Sequence, residues 1–191
     1  VGLFTDIART CGVKCTFTLA QNGSRPDQWR SCLDLVEQAQ NQGLNIVPQI
    51  ATRPIGFVTS LQSYHMFMRR QTYLSLEHLP FAEKLNAMRQ SDVRAAILSD
   101  EDVPPDQPGV MANVYGLLAA AAPAMFPITM PINYEPDPSE SLGARAAAEG
   151  VEIAEVMYDY LVSGEGDQFA ILLGANFVDG TFSIMAVSYT H

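Results

Sequence analysis

Residues 14–50 constrain this chain more than any other stretch. Lys14–Ala20 alternates into a β-branched and aromatic run, CTFTLA, that ends at the turn-forming Gln21-Asn22-Gly23. Pro26–Gln42 follows with Trp29, Cys32, Leu33, Val36 and Ala39 on one helical stripe; Pro26 suits a first turn and Gly43 a stop. A second apolar run, Leu44-Asn45-Ile46-Val47, has strand length and β-branched content. Strand, helix and strand joined in this way make a βαβ unit. Its strands run parallel through a right-handed crossover, and parallel pairs need helices over the sheet.

The second strand runs into Pro48-Gln49-Ile50-Ala51-Thr52-Arg53, closed by Pro54 and Gly56. α/β proteins gather their ligand groups where parallel strands end, because the ends converge on one crevice. The prolines at 48 and 54 remove two backbone donors and bias Val47 and Arg53 towards extended backbone, which stiffens the turn that aims Gln49 and Arg53. Gln21 holds the matching place at the end of the first strand. The competing reading is a solvent-facing loop whose Arg53 pairs with a nearby carboxylate.

Around this unit the pattern is mostly helical. Gly2–Thr10 reads as a helix stopped by Gly12. Ser60–Gln71 is irregular and bulky, with Tyr64, His65, Met66, Phe67 and Met68, and makes residues 51–75 a lid-like loop. His65 is a candidate ligand or acid/base group, but no His, Asp or Glu stands at metal spacing from it; the competing reading is a packed loop histidine. His78 and His191 lack such neighbours too. Leu79–Leu98 carries two helices, the second capped by Ser91 with Asp92 in its first turn. Asp100–Gly109, DEDVPPDQPG, is a second lid-like loop, solvated and without calcium-loop spacing.

Val110–Asn133 carries no charge, yet Asn113, Gly116, Pro123, Pro127 and Pro131 interrupt it. A membrane-spanning helix needs about 20 predominantly apolar residues, so a helix around Val114–Ala122 and a buried extended run Met125–Ile132 fit better. Asp137 and Pro138 open a helical run Ser139–Glu149 that ends at Gly150. A helix over Ile153–Val162 sends Val156, Tyr160 and Leu161 to the core. Gly164–Asp167 is a turn, Phe169–Leu173 a buried strand, and Asn176–Gly180 a loop at its end. The whole reads as α/β with a parallel sheet, open or closed into a barrel.

The 191 residues suit one ordinary domain or a piece of a larger one. A formal charge of −10 argues against nucleic acid or an anionic membrane as partner. Cys11, Cys15 and Cys32 form neither a CxxC pair nor an even set, which favours buried, reduced thiols and a cytoplasmic location. No signal peptide is visible, and neither end reads as a natural terminus, so a fragment is expected. There is no Gly-rich phosphate loop, GxSxG elbow, HExxH or CxxC set.

The succession TFTLAQ, PDQWRSCLDLVEQAQNQGLNIVPQIATRPIGFVTSLQSYHMF and YLSLEHLPFAEKLNAMRQSDVRAAILSDE resembles the central part of amidohydrolases of the N-acyl-D-amino-acid deacylase (D-aminoacylase) group. Tyr134-Glu135-Pro136-Asp137-Pro138 and SLGARAAAEGVEIAEVMYDYLVSGEGDQFAILLGANFVDG resemble a later stretch of the same group. The resemblance implies that residues 1–191 are one segment of a metal-dependent (β/α)8 TIM barrel, with parallel strands and covering helices. Such an enzyme hydrolyses the amide of an N-acyl amino acid by metal-bound hydroxide, with an Asp handling the proton. The family's HxH metal pair would precede this stretch and its catalytic Asp would follow it.

The strand ending Thr18-Leu19-Ala20-Gln21 also lacks the SH-x-K-like pattern that supplies a metal-binding His in typical members. The resemblance therefore implies a divalent metal, zinc by expectation, in the complete enzyme and none held by this segment alone, which would be inactive. Its partners would be the N-acyl amino acid and the remaining barrel segments, or a homo-oligomer. Arg53 would bind the substrate carboxylate, with Gln49 and Gln21 beside it and Tyr64 and His65 on the covering loop. Rival readings are a non-catalytic α/β binding domain and a flavodoxin-like domain; the second is disfavoured because no phosphate-cradling loop follows the first strand.

Overall fold

The computed structural model describes residues 1–23, 25–104, 114–177, 180, 181 and 183. The chain forms two compact units, Val1–Gly56 with Leu173–His191, and Phe57–Leu172.

The first unit holds helix α1 (Gly2–Cys11), strand β1 (Cys15–Leu19), helix α2 (Gln28–Asn41) and strand β2 (Ile46–Ile50). β1 and β2 are parallel, in register from Cys15 opposite Ile46 to Leu19 opposite Ile50. The βαβ reading therefore holds. Alternation divides the pair into two faces. Cys15 and Ile46 pack with Ala8, Val36 and Ala39 from the two helices, and Phe4 stacks on Phe17 with ring centroids 5.3 Å apart. Thr16, Thr18, Val47 and Gln49 on the other face are exposed. Gly12 and Gly43, at φ 65 and 78, end α1 and α2 in the left-handed region that costs glycine no Cβ clash. Of the thiols only Cys15 is buried; Cys11 is exposed and Cys32 half-buried, which corrects the expectation of three buried cysteines.

β2 continues through Pro48 to Ile50, where the sequence suggested a turn. A proline survives in a strand when its missing N–H faces an unpaired edge. The Cys15 N–H donates to the Asn45 carbonyl, so odd-numbered β2 residues face β1 and Pro48 faces outwards. On the same outer edge, Gln40 Nε2 donates to the Ile46 carbonyl at 2.7 Å. The outer edge of β1, at Thr16 and Thr18, has no strand beside it among the described residues.

The second unit contains strand β3 (Ile55–Ser60, from Phe57 onward), helices α3 (Gln71–Ser75), α4 (Phe81–Met88), α5 (Ser91–Ser99) and α6 (Val114–Ala121), strand β4 (Met125–Pro127), helices α7 (Leu142–Glu149) and α8 (Ile153–Val162), and strand β5 (Phe169–Ala175, to Leu172). The three strands form a sheet of order β3-β5-β4, with β4 antiparallel to β5. The architecture is thus α/β, with one parallel pair and one sheet that includes an antiparallel pair. No closed barrel is formed among the described residues. The core gathers Phe67, Tyr73, Met88, Ile97, Met125, Leu142, Tyr158 and Leu161. Val156 and Leu161 are buried as expected, while Tyr160 is half-buried and donates its hydroxyl to the Phe169 carbonyl at 2.7 Å.

Several local readings change. Residues 51–75 are not one loop: they include β3 and α3, and they supply Leu61, Met66, Phe67 and Tyr73 to the core. The acidic Asp100–Gly109 segment is described only to Pro104; Glu101, Asp102 and Pro104 are exposed, as a solvated loop requires, but the segment is also pinned. Asp100 Oδ2 accepts the Thr72 N–H at 2.6 Å, at the start of α3. Asp102 lies 3.0 Å from Arg70 Nε, an ion pair without hydrogen-bond alignment, and Arg69 Nε donates to the Val103 carbonyl at 2.8 Å. The extended run expected over Met125–Ile132 stops at Pro127, because the prolines at 127 and 131 cannot donate to a ladder, and Met130 is 84% exposed. Ser91 is the first residue of α5 rather than its cap; Gln90 holds the cap position in extended backbone. The helix expected over Ser139–Glu149 is split. Asp137 caps a short 3-10 turn, Pro138–Glu140, and Ser141 restarts the chain as the cap of α7, accepting the Ala144 N–H at 3.1 Å.

α7 approaches the chain at Pro123 closely enough to require a glycine. A Cβ on Gly143 would lie 2.5 Å from the Pro123 carbonyl oxygen and 2.9 Å from its Cα. Alanine is favoured over glycine inside a helix by up to about 1 kcal/mol. Backbone atoms cannot rotate away, however, so overpacking of roughly 1–3 kcal/mol wins. Gly143→Ala is expected to lower the thermal midpoint, and a midpoint at or above the parent value would show that α7 and Pro123 do not meet this closely.

Candidate functional site

The polar residues singled out at the strand ends divide between the two units. Gln21, Gln49 and Arg53 lie in the first. Tyr64 and His65, on the stretch read as a covering loop, lie in the second.

In the first unit a residue with no role in the sequence reading organises the strand ends. Asn176 directly follows β5, is only 3% exposed, and has a φ of 57°. That left-handed conformation is uncommon outside glycine, and asparagine is among the residues that adopt it. Its side-chain Oδ1 accepts the Gln21 N–H at 2.8 Å, and its Nδ2 donates to the carbonyls of Ala51 at 3.1 Å and Arg53 at 3.4 Å. Its own N–H donates to the Gln21 carbonyl at 2.9 Å, and Asn22 bridges Ala175 in antiparallel fashion. One buried amide thus ties the end of β1 to the loop after β2. Its orientation is fixed by chemistry: a backbone N–H can only donate to it and backbone carbonyls can only accept from it.

Held on this frame, Gln21 is half-buried. Its Nε2 donates to the Pro26 carbonyl at 3.2 Å, which fixes the amide orientation, while its enclosed Oε1 meets no donor among the described residues. Gln49 and Arg53 are exposed, and the Arg53 guanidinium has no ion-pair partner among the described residues. The competing reading, in which Arg53 pairs with a nearby carboxylate, is therefore not realised there. A guanidinium and two primary amides are donors and acceptors that hold a ligand. They do not fit zinc, whose ligands are His, Cys, Asp or Glu, and a cation beside Arg53 would be repelled. No group of three or more such donors that could hold a metal is present among the described residues.

No family model matches this chain, and it has no significant match among curated proteins or solved structures.

In the second unit Tyr64 is half exposed, with its ring 6.4 Å from that of Tyr115. His65 is completely buried. Its Nδ1 accepts the Phe67 N–H at 3.3 Å, and its ring meets Tyr73 edge-on at 4.8 Å and Phe67 at 6.1 Å. With Nδ1 accepting, the neutral ring carries its proton on Nε2, which has no hydrogen-bond partner among the described residues. The competing sequence reading, a packed loop histidine with no His, Asp or Glu at metal spacing, matches this burial. Of the remaining histidines, His78 is exposed and His191 lies outside the described residues.

Burial, aided by the positive charge of Lys84, lowers the His65 pKa from 6.5 to about 3. In the unfolded chain the imidazole binds its proton near pH 6.5, while in the fold it stays neutral down to about 3. Between those values the unfolded state holds the extra proton, so stability falls as pH drops through the window, by up to about 1.4 kcal/mol per pH unit. Between pH 6.5 and about 5, above the usual carboxylate range, denaturant titrations should give a stability slope of this sign that His65→Leu removes. An identical slope in the variant would assign the acid sensitivity elsewhere.

Proposed function

We propose that this chain supplies the substrate-binding part of an amidohydrolase of the N-acyl-D-amino-acid deacylase kind, with Arg53 as the receptor for the substrate carboxylate. The observation that carries this reading is the exposed Arg53 guanidinium, without an ion-pair partner among the described residues, on a loop anchored by the buried Asn176 amide at the ends of β1 and β2. Two parallel N–H donors of a guanidinium match the two oxygens of a carboxylate. Gln49, at the strand end before the loop, and Gln21, across the Asn176 tie, add amide groups suited to an acyl-amide ligand.

On this reading the β1-α2-β2 unit is one crossover of a (β/α)8 barrel, and the chain's sequence resemblance to the deacylase group supports that placement. The hydrolytic metal, expected to be zinc, and the residue that moves the proton would come from other barrel segments. This chain's own residues bind and orient. Further strands would pair with the outer edge of β1, at Thr16 and Thr18, which has no strand beside it among the described residues.

A second reading is favoured by the chemistry of the cluster itself. Amides and a guanidinium can serve a binding domain that performs no reaction. Metal analysis and a deacylase assay on the full-length gene product separate the two. Bound metal together with turnover of N-acyl amino acids supports the enzyme; neither supports the binding domain. In the active full-length protein, Arg53→Ala is expected to raise KM for N-acyl amino acids about tenfold or more with little change in kcat, as loss of uniform substrate binding does. Unchanged kinetics would remove Arg53 from the site.

A further inference from the structure

We infer that Asn176 is the positioning residue of the Arg53 site: its side-chain amide sets the carboxylate-binding loop against the end of β1. The inference rests on the carboxylate-binding reading of Arg53 and goes beyond it by assigning the group that fixes the loop.

Three independent features meet at this residue. First, an asparagine amide is 97% withdrawn from solvent, yet both its oxygen and its nitrogen are fully used. Its bonds go to backbone groups of separate segments, Gln21 on one side and Ala51 and Arg53 on the other. Second, the left-handed backbone at φ 57 aims the amide there, and such strained conformations persist where the surrounding structure dictates them. Third, two of the three residues whose backbone it joins keep side-chain groups without a partner among the described residues: the enclosed Gln21 Oε1 and the exposed Arg53 guanidinium. A side chain that served only packing would have no reason to join those two. Because Nδ2 bonds the Arg53 carbonyl itself, the bond sets where the Arg53 side chain begins.

The two halves of the amide can be removed separately. Asn176→Asp keeps an oxygen for the Gln21 N–H but sets a second oxygen against the carbonyls of Ala51 and Arg53, which releases the loop. Asn176→Gly keeps the left-handed backbone and removes both contacts. The readout is discrimination between N-acetylalanine and its methyl ester, which lacks the carboxylate charge, measured as the ratio of their KM values in the full-length protein. Thermal midpoints are measured in parallel.

The parent protein should favour the acid, and Arg53→Ala should abolish that preference. Both Asn176 variants should lower it about tenfold, the scale of one charge-assisted hydrogen bond misplaced, with the acid's KM rising more than the ester's. Acid preference retained in both Asn176 variants but lost in Arg53→Ala would overturn the positioning role and leave the Arg53 reading intact. Equal losses for acid and ester, together with a lowered midpoint, would assign Asn176 to stability alone and also overturn it. A parent protein that does not discriminate acid from ester would remove both readings together.

Discussion

Parallel pairing of β1 with β2 is the constraint on which the first unit depends. Two parallel strands cannot be joined by a tight turn, so the intervening residues must cross over the sheet, and α2 does so. Once the helix lies on one face, the strands' alternation decides everything else. Cys15 and Ile46 face the helices, Thr16, Thr18, Val47 and Gln49 face away, and both strands deliver their polar ends to the same side. Asn176 then adds the end of β5 to that side through a single amide. The polar cluster is therefore a consequence of topology before it is a consequence of which residues fill it.

The second unit is held by different means. Its helices are short, and their ends are tied by side chains from distant positions. Asp100 meets the first turn of α3, and the Arg89 guanidinium at the end of α4 donates to the carbonyls of Val162, the last residue of α8, and of Gly164 beyond it. Arg94 on α5 forms a two-pronged pair with Asp159 on α8, at 2.7 and 2.8 Å, and this pairing raises the guanidinium pKa. Such pairs are half exposed and contribute modestly to stability. Their more evident effect is geometric, since each fixes the angle at which one helix meets the next. The buried Tyr158 hydroxyl, donating to the Met88 carbonyl at 2.8 Å, does the same from inside the core.

Legibility followed the range of the interaction. α1, α2 and α8 were readable because their apolar residues recur at helical spacing and glycine or a polar turn follows them. β1, β2 and their parallel sense were readable from strand content on both sides of a helix. β3 was not: Ile55–Ser60 follows a proline and an arginine, and only its pairing with β5, more than a hundred residues away, makes it a strand. The same holds for the antiparallel β4–β5 pair. In the candidate site, Gln21 and Arg53 could be placed beyond strand ends because such ends can be read locally, whereas Gln49, expected in a turn, lies within β2 because Pro48 sits on an unpaired edge. Asn176 could not, since an asparagine before a loop looks like any other turn residue until its bonds to Gln21, Ala51 and Arg53 are seen. His65 was legible as a packed histidine only in that no His, Asp or Glu stands at metal spacing from it; the Tyr73 ring it meets is set by the fold.

The two margins of the parallel sheet are unlike. Along β2, Pro48 removes a donor and Gln40 occupies the Ile46 carbonyl; along β1 nothing comparable intervenes among the described residues. Recruitment of another strand to this sheet is thus directional. Two copies meeting margin to margin through β1 would each present a blocked side outwards, so their association would close on itself as a dimer instead of propagating as a filament.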